Sequence, residues 1–130
     1  MMIGPTILVI EDEFLISEMV ATSLSDGGYE VVQVISSKKA LAELEADADR
    51  FRAIITDIRL GNGPDGWDLA RRARELVPNI AVIYMTGDSG PDWSARGVPN
   101  SVVIVKPFAP AEIVTTVSAL IVQSDAQRLG

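Results

Sequence analysis

Most strand-like segments of this chain are short apolar runs, and each ends abruptly in an acid, a hydroxyl or a lysine; only 29–35 is interrupted, by Glu30 and Gln33. Between the runs, apolar positions recur at helical spacing. Unbroken runs of four to eight aliphatic residues fit parallel strands buried on both faces. The pattern predicts strands over 6–10, 29–35, 53–57, 80–85 and 101–105. Leu15, Ile16, Met19, Val20 and Leu24 predict a helix over 13–25, stopped by Gly27 and Gly28. Ser36 or Ser37 caps a second helix running to about 46, with Ala40, Leu41 and Leu44 inward. A third helix covers 67–77 and closes at Pro78; a last one covers 109–123, with Pro110 in its first turn.

One stretch breaks the rhythm. Positions 88–100 should carry a helix, yet they contain Gly90, Pro91, Gly97 and Pro99. The expectation there is a short, irregular and mobile element of one or two turns around 92–96. The residues after Gln123 read as a frayed tail or linker stub, so the domain is set at 1–123 and the tail at 124–130.

Strands alternating with helices imply a parallel sheet covered on both faces. Five strands in a chain of 130 residues fit the α/β flavodoxin-like doubly wound (βα)5 order 2-1-3-4-5, with the fourth helix short or irregular. In that order the switch point lies between the first and third strands, where ligands bind at the carboxyl ends.

The polar residues fall at those ends. Glu11 and Asp12 follow the first strand, Asp57 ends the third, Thr86 follows the fourth and Lys106 follows the fifth. Carboxylates gathered on one sheet edge repel one another unless a cation sits among them. Hard oxygens without His or Cys suit Mg²⁺ or Mn²⁺. A lysine ammonium and a threonine hydroxyl can hold phosphate oxygens, and one carboxylate remains as nucleophile for an aspartyl phosphate. Phosphoryl transfer needs mainly positioning and charge neutralisation, which this set provides.

Composition narrows the choice. With no Cys and no His, the chain has no thiolate metal site, no Ser-His-Asp triad and no phosphohistidine of its own. Its net charge of −7 argues against binding nucleic acid electrostatically. The longest apolar run, 80–85, is far short of the roughly 20 residues a membrane helix needs, and the first residues do not read as a signal peptide. The expected location is the cytoplasm.

Individually these residues have blander readings. Glu13 reads as first-turn charge on a helix. Arg71, Arg72 and Arg74 read as a solvated helix face, and Trp67 and Trp93 as packing or surface residues. The apolar stripe Ile113, Val114, Val117, Leu120 and Ile121 is wider than one core face needs, which leaves room for a partner surface with the fifth strand.

Taken together, Ile-Glu-Asp-Glu at 10–13, Thr-Asp-Ile at 56–58, Met-Thr-Gly at 85–87 and Val-Lys-Pro-Phe at 105–108 resemble the receiver domain of bacterial two-component response regulators. The resemblance spans about 6–123. It implies that Asp57 accepts a phosphoryl group from a histidine kinase, with Lys106 and Thr86 on the phosphate. It implies Mg²⁺ held by Asp57, by Asp12 directly, by Glu11 through water and by the main-chain carbonyl of Arg59, and a cis Lys106–Pro107 bond. Apart from catalysing its own phosphorylation and dephosphorylation, such a domain is not an enzyme. It acts as a docking switch or a phosphoryl sink.

Two departures stand out. The family's aromatic residue three positions before the lysine is Val103 here. The run 84–87 with the shortened segment after it is similar to single-domain receivers with a Phe-Ala-Thr-Gly-like motif. Those pair with kinases of the HWE type and lack the aromatic switch, ordering of the fourth-helix region taking its place. Arg59 and Asp88, each two positions past a site residue, flank the phosphate entrance. The apolar stripe on the last helix leads to the expectation of a monomer or a weak homodimer through the fifth strand and last helix. Two other readings remain. One is an Asp-nucleophile, Mg²⁺-dependent phosphohydrolase, which usually needs a second Asp where Arg59 stands. The other is a receiver-like fold that works without phosphorylation.

Overall fold

The structure, a computed structural model, describes residues 4–87 and 93–129. The elements in chain order are β1 (Thr6–Ile10), α1 (Phe14–Asp26), β2 (Glu30–Val34), α2 (Ser37–Asp47), β3 (Phe51–Asp57), α3 (Gly66–Leu76), β4 (Ala81–Thr86), α4 (Trp93–Arg96), β5 (Ser101–Val105) and α5 (Pro110–Leu129). A 3₁₀ turn over Ala48–Arg50, absent from the sequence reading, joins α2 to β3.

The five strands form one sheet in the order β2-β1-β3-β4-β5, every neighbouring pair parallel. The core lies in two layers. Leu8, Ile10, Ile54, Val82 and Tyr84 pack against α2 and α3 on one face. Ile7, Val9, Ala53, Ile55, Ile83 and Met85 pack against α1 and α5 on the other. Alternate strand residues feed opposite layers, and both layers are apolar, which is why the strands read as unbroken runs.

The helix starts are set locally. Ser36 caps α2 by accepting the Lys39 amide, and Asp65 caps α3 in a reciprocal pair with Asp68. Glu13 stands at the start of α1 but makes no side-chain cap.

Several expectations need correction. Leu15 is 80% exposed, and Ser17 and Ala21 join Val20 and Leu24 as the buried residues of α1 instead. Arg74 is half-buried rather than simply solvated: its guanidinium donates to the carbonyls of Ile80, Pro99 and Asn100. Burial lowers its pKa from the usual guanidinium range. Arg71 and Arg72 do lie on an exposed face, paired with Asp68 and Glu45.

The stretch 124–130 is not a frayed tail as far as it is described. Helix α5 runs on to Leu129, with Ser124 buried against the Asn79 carbonyl and Asp125 paired with Arg52. The described part of the irregular stretch is a single turn over Trp93–Arg96 followed by 97–100 without a helix; Asp88 and the rest of 88–92 lie outside the described residues.

Candidate functional site

Each site residue is placed by the end of a buried strand. The register pairs Ile10 with Thr56, Asp57 with Met85, and Thr86 with Val105. That alignment brings the residues following β1, β3, β4 and β5 to one level of the sheet edge. The edge is then stitched by main-chain bonds that continue the ladder: the Glu11 amide donates to Val34, Ile58 to Met85 and Lys106 to Thr86, the last at 2.7 Å.

Lys106 is the hub. Its Nζ lies 3.0 Å from Glu11 Oε2 and 3.1 Å from Asp57 Oδ2. Glu11 is fully buried, and its other oxygen accepts the Glu13 amide at 3.1 Å. Asp57 and Lys106 are mostly covered, their side chains being 14% and 17% exposed. Asp12 is exposed, so the cluster opens to solvent on its side. The peptide bond Lys106–Pro107 is cis.

The charges shift one another. Burial pushes the Glu11 carboxyl above its ordinary value, the Lys106 hydrogen bond opposes this, and the negative charge of Asp57 adds to it. Burial pulls the Lys106 ammonium down, but its hydrogen bonds to Glu11 and Asp57 outweigh that and lift it.

Glu11, Asp12 and Asp57 each offer a carboxylate oxygen within 4.8 Å of the others. One ammonium neutralises one of three negative charges. The donor set is all hard oxygen and opens through exposed Asp12, which fits a small divalent cation that keeps water ligands.

The structure therefore brings together Glu11, Asp12, Asp57, Thr86 and Lys106. Thr86 is buried at the end of β4. Arg59 lies just outside, on an exposed loop, where its amide makes a long 3.4 Å contact to Asp57 Oδ1.

Two contributors escaped the sequence reading. Thr56 donates its hydroxyl to the Asp57 carbonyl at 2.8 Å, although a lone threonine in an apolar strand looks like ordinary filling. Gly66 was legible only as part of a loop. A Cβ there would collide with the Asp57 carbonyl, and the Gly66 amide donates to Ile58 at 2.8 Å, so α3 begins directly against the strand end.

The rim of the site is apolar. Phe14 and Leu15 are 71% and 80% exposed at the start of α1. An open groove of about 380 Å³ runs between α1 and the residues after β5, lined by Glu13, Ile16, Met19, Lys106, Pro107 and Phe108. Among the described residues no helix is long and apolar enough to cross a membrane.

Comparison with known proteins agrees with this geometry. The family model of the response regulator receiver domain matches residues 7–118. A response regulator receiver protein from Sinorhizobium medicae is 37% identical with a TM-score of 0.89, the match covering 93% of this chain and 97% of that one. The phosphate regulon transcriptional regulatory protein PhoB of Pseudomonas aeruginosa is 33% identical over 124 residues, covering 92% of this chain and 53% of that protein. The response regulator receiver protein CpdR of Brucella abortus is 28% identical over 120 residues, covering 89% of this chain and 96% of that one. The chain thus spans about half the length of PhoB and nearly all of CpdR.

Proposed function

The chain belongs to the response regulator receiver domain family, the phosphorylation-activated switches of two-component signalling, and on that premise we propose that Asp57 is its phosphoacceptor. The observation that carries this is the double grip of Lys106 on Glu11 and Asp57 beside a three-carboxylate cluster.

In this reading an Asp57 carboxylate oxygen attacks phosphorus. An O–P bond forms, and the bond from phosphorus to the donor's imidazole nitrogen breaks. Lys106 gives up part of its bond to Asp57 and turns to the new phosphoryl oxygens, while Glu11 keeps it anchored. Thr86 supplies a hydroxyl to the same group. Glu11, Asp12, Asp57 and the Arg59 carbonyl would hold Mg²⁺. When bound, the ion neutralises phosphoryl charge. The residues named do the attacking, holding and donating.

The donor is a histidine kinase, and the segment 84–87 favours one of the HWE type. The exposed Phe14 and Leu15 and the groove beside Lys106 give a protein donor an apolar surface next to Asp57. The chain acts in the cytoplasm as a docking switch or phosphoryl sink. Val105 on β5 and Val122 on α5 are apolar residues 45% and 69% exposed, which a weak homodimer would cover.

The test is Mg²⁺-dependent labelling by acetyl phosphate, read by intact mass. One phosphoryl group is expected on the wild type and none on Asp57→Asn or in EDTA. Absence of both labelling and beryllofluoride uptake by the wild type would favour a receiver-like fold that works without phosphorylation.

A further inference from the structure

The stretch from Asp57 to Arg59 supplies two of the proposed Mg²⁺ ligands, the Asp57 carboxylate and the Arg59 carbonyl. Its main chain is gripped group by group. The Ile58 amide donates to the Met85 carbonyl of β4 at 3.1 Å, and the Ile58 carbonyl accepts the Gly66 amide at 2.8 Å. The Asp57 carbonyl is held differently.

Its direction follows from the planarity of the peptide. The cis bond of this chain is Lys106–Pro107, so Asp57 and Ile58 are joined in trans. Across a trans peptide the carbonyl and the amide point opposite ways. The Ile58 amide faces β4, so the Asp57 carbonyl faces the β1 side. There the ladder has run out: the last register pair of β3 with β1 is Ile10 with Thr56, one residue short of Asp57. The Thr56 hydroxyl takes the place of the missing strand and donates to the Asp57 carbonyl at 2.8 Å.

This bond lies in an enclosed place. Thr56 is fully buried, and the start of α3 closes over the Asp57 carbonyl, where a Cβ on Gly66 would collide with it. A buried carbonyl that loses its partner there is costly to leave as it stands. Two of the three bonds join main chain to main chain and survive any change of side chain. The third depends on one hydroxyl.

The reacting groups hang from the same peptide. Asp57 Oδ2 faces the Lys106 ammonium at 3.1 Å, and Oδ1 receives the Arg59 amide in a long 3.4 Å contact. Rotation of the Asp57–Ile58 peptide would turn Oδ1 and carry the Arg59 main chain with it. We propose that Thr56 is a positioning residue of this site: its hydroxyl fixes that peptide and so aims the Asp57 carboxylate and the Arg59 carbonyl at one cation. This rests on the Mg²⁺ reading of the site. The hydroxyl touches neither the cation nor the phosphoryl group. It acts through the groups that do, and removing such an outer support typically costs about ten- to a hundredfold in metal affinity.

The test is Mg²⁺ binding to the unphosphorylated chain, measured by titration calorimetry. Thr56→Val keeps the shape and the strand preference and removes only the hydroxyl. It should bind Mg²⁺ about tenfold more weakly than the wild type and be labelled more slowly by acetyl phosphate at subsaturating Mg²⁺. Thr56→Ser keeps the hydroxyl and should bind as the wild type does. A threonine that only filled the strand would change the unfolding midpoint and leave the Mg²⁺ affinity of the folded chain where it was. Wild-type affinity in Thr56→Val therefore overturns the role alone, as does a Thr56→Ser protein as weak as Thr56→Val. A wild type that binds no Mg²⁺ overturns the metal reading and this role together. Should Thr56→Val not fold, Thr56→Ala against Thr56→Ser makes the same comparison.

Discussion

The two halves of the sheet's carboxyl edge are held in different ways. Around Glu11, Asp57 and Lys106, strand ends in fixed register are stitched by main-chain bonds, and the charged groups are almost wholly covered. Around α4, the described turn is held by side-chain contacts of Trp93, Arg96 and Tyr84, with Arg74 on the carbonyls of Pro99 and Asn100 behind it. The first half can keep reacting groups at hydrogen-bond distance. The second can change position when one contact is lost. A switch needs both: a site that does not move much and a neighbour that does.

The largest test strikes the rigid half. Lys106→Ala leaves Glu11 buried without its cation, which should cost about 3 kcal/mol of stability at pH 7 in metal-free buffer. The pH dependence has a definite sign. The folded Glu11 carboxyl titrates above its ordinary value of 4.5, chiefly from burial. A raised acid contributes stability that is fully present below 4.5 and is lost as pH rises through the folded value. Removing Lys106 deletes the hydrogen bond that opposes the rise. The deficit of the variant against wild type, measured by urea denaturation in EDTA, should therefore shrink as pH falls towards 4.5. A deficit that grows on acidification would contradict this account.

A smaller effect is expected where the second half meets α3. Asp65→Ala removes the carboxylate that caps α3 by accepting the Asp68 amide and that partners Arg96, and leaves the Asp65 amide donating to Asp68. About 1 kcal/mol should be lost in denaturant unfolding. Exchange should quicken at amides of 93–98 and leave β1 and β3 protected. Equal loosening of both halves would erase the distinction drawn between them.

The smallest effect sharpens the comparison from outside it. Arg72 is paired with Glu45 and Glu75 on the exposed α2–α3 face. These contacts hold the Glu45 carboxyl below its usual range, yet exposed pairs of this kind contribute little. Arg72→Ala should leave the thermal midpoint and the labelling by acetyl phosphate within error of wild type.

Much of this was legible in the residues. Glu11, Asp57 and Lys106 each end a continuous apolar run, and a parallel sheet must bring such ends together. The exposure of Leu15 was not legible, because helical spacing marks a stripe and not the edge at which it leaves the core. Arg74 looked like its neighbours Arg71 and Arg72. Only folding brings the carbonyls of Ile80, Pro99 and Asn100 to it. The length of α5 was missed because Ser124 and Asp125 look like tail residues until Asn79 and Arg52 meet them.

The sequence by itself determined the strand order and the gathering of Glu11, Asp57 and Lys106 at one sheet edge, since periodicity and residue type are local properties that the chain carries anywhere. Which buried donor meets which acceptor, Val98 with Tyr84 or Arg74 with three carbonyls, was decided only by the tertiary structure. Those pairs join residues far apart in the chain. Burial demands a partner for each polar group without naming it.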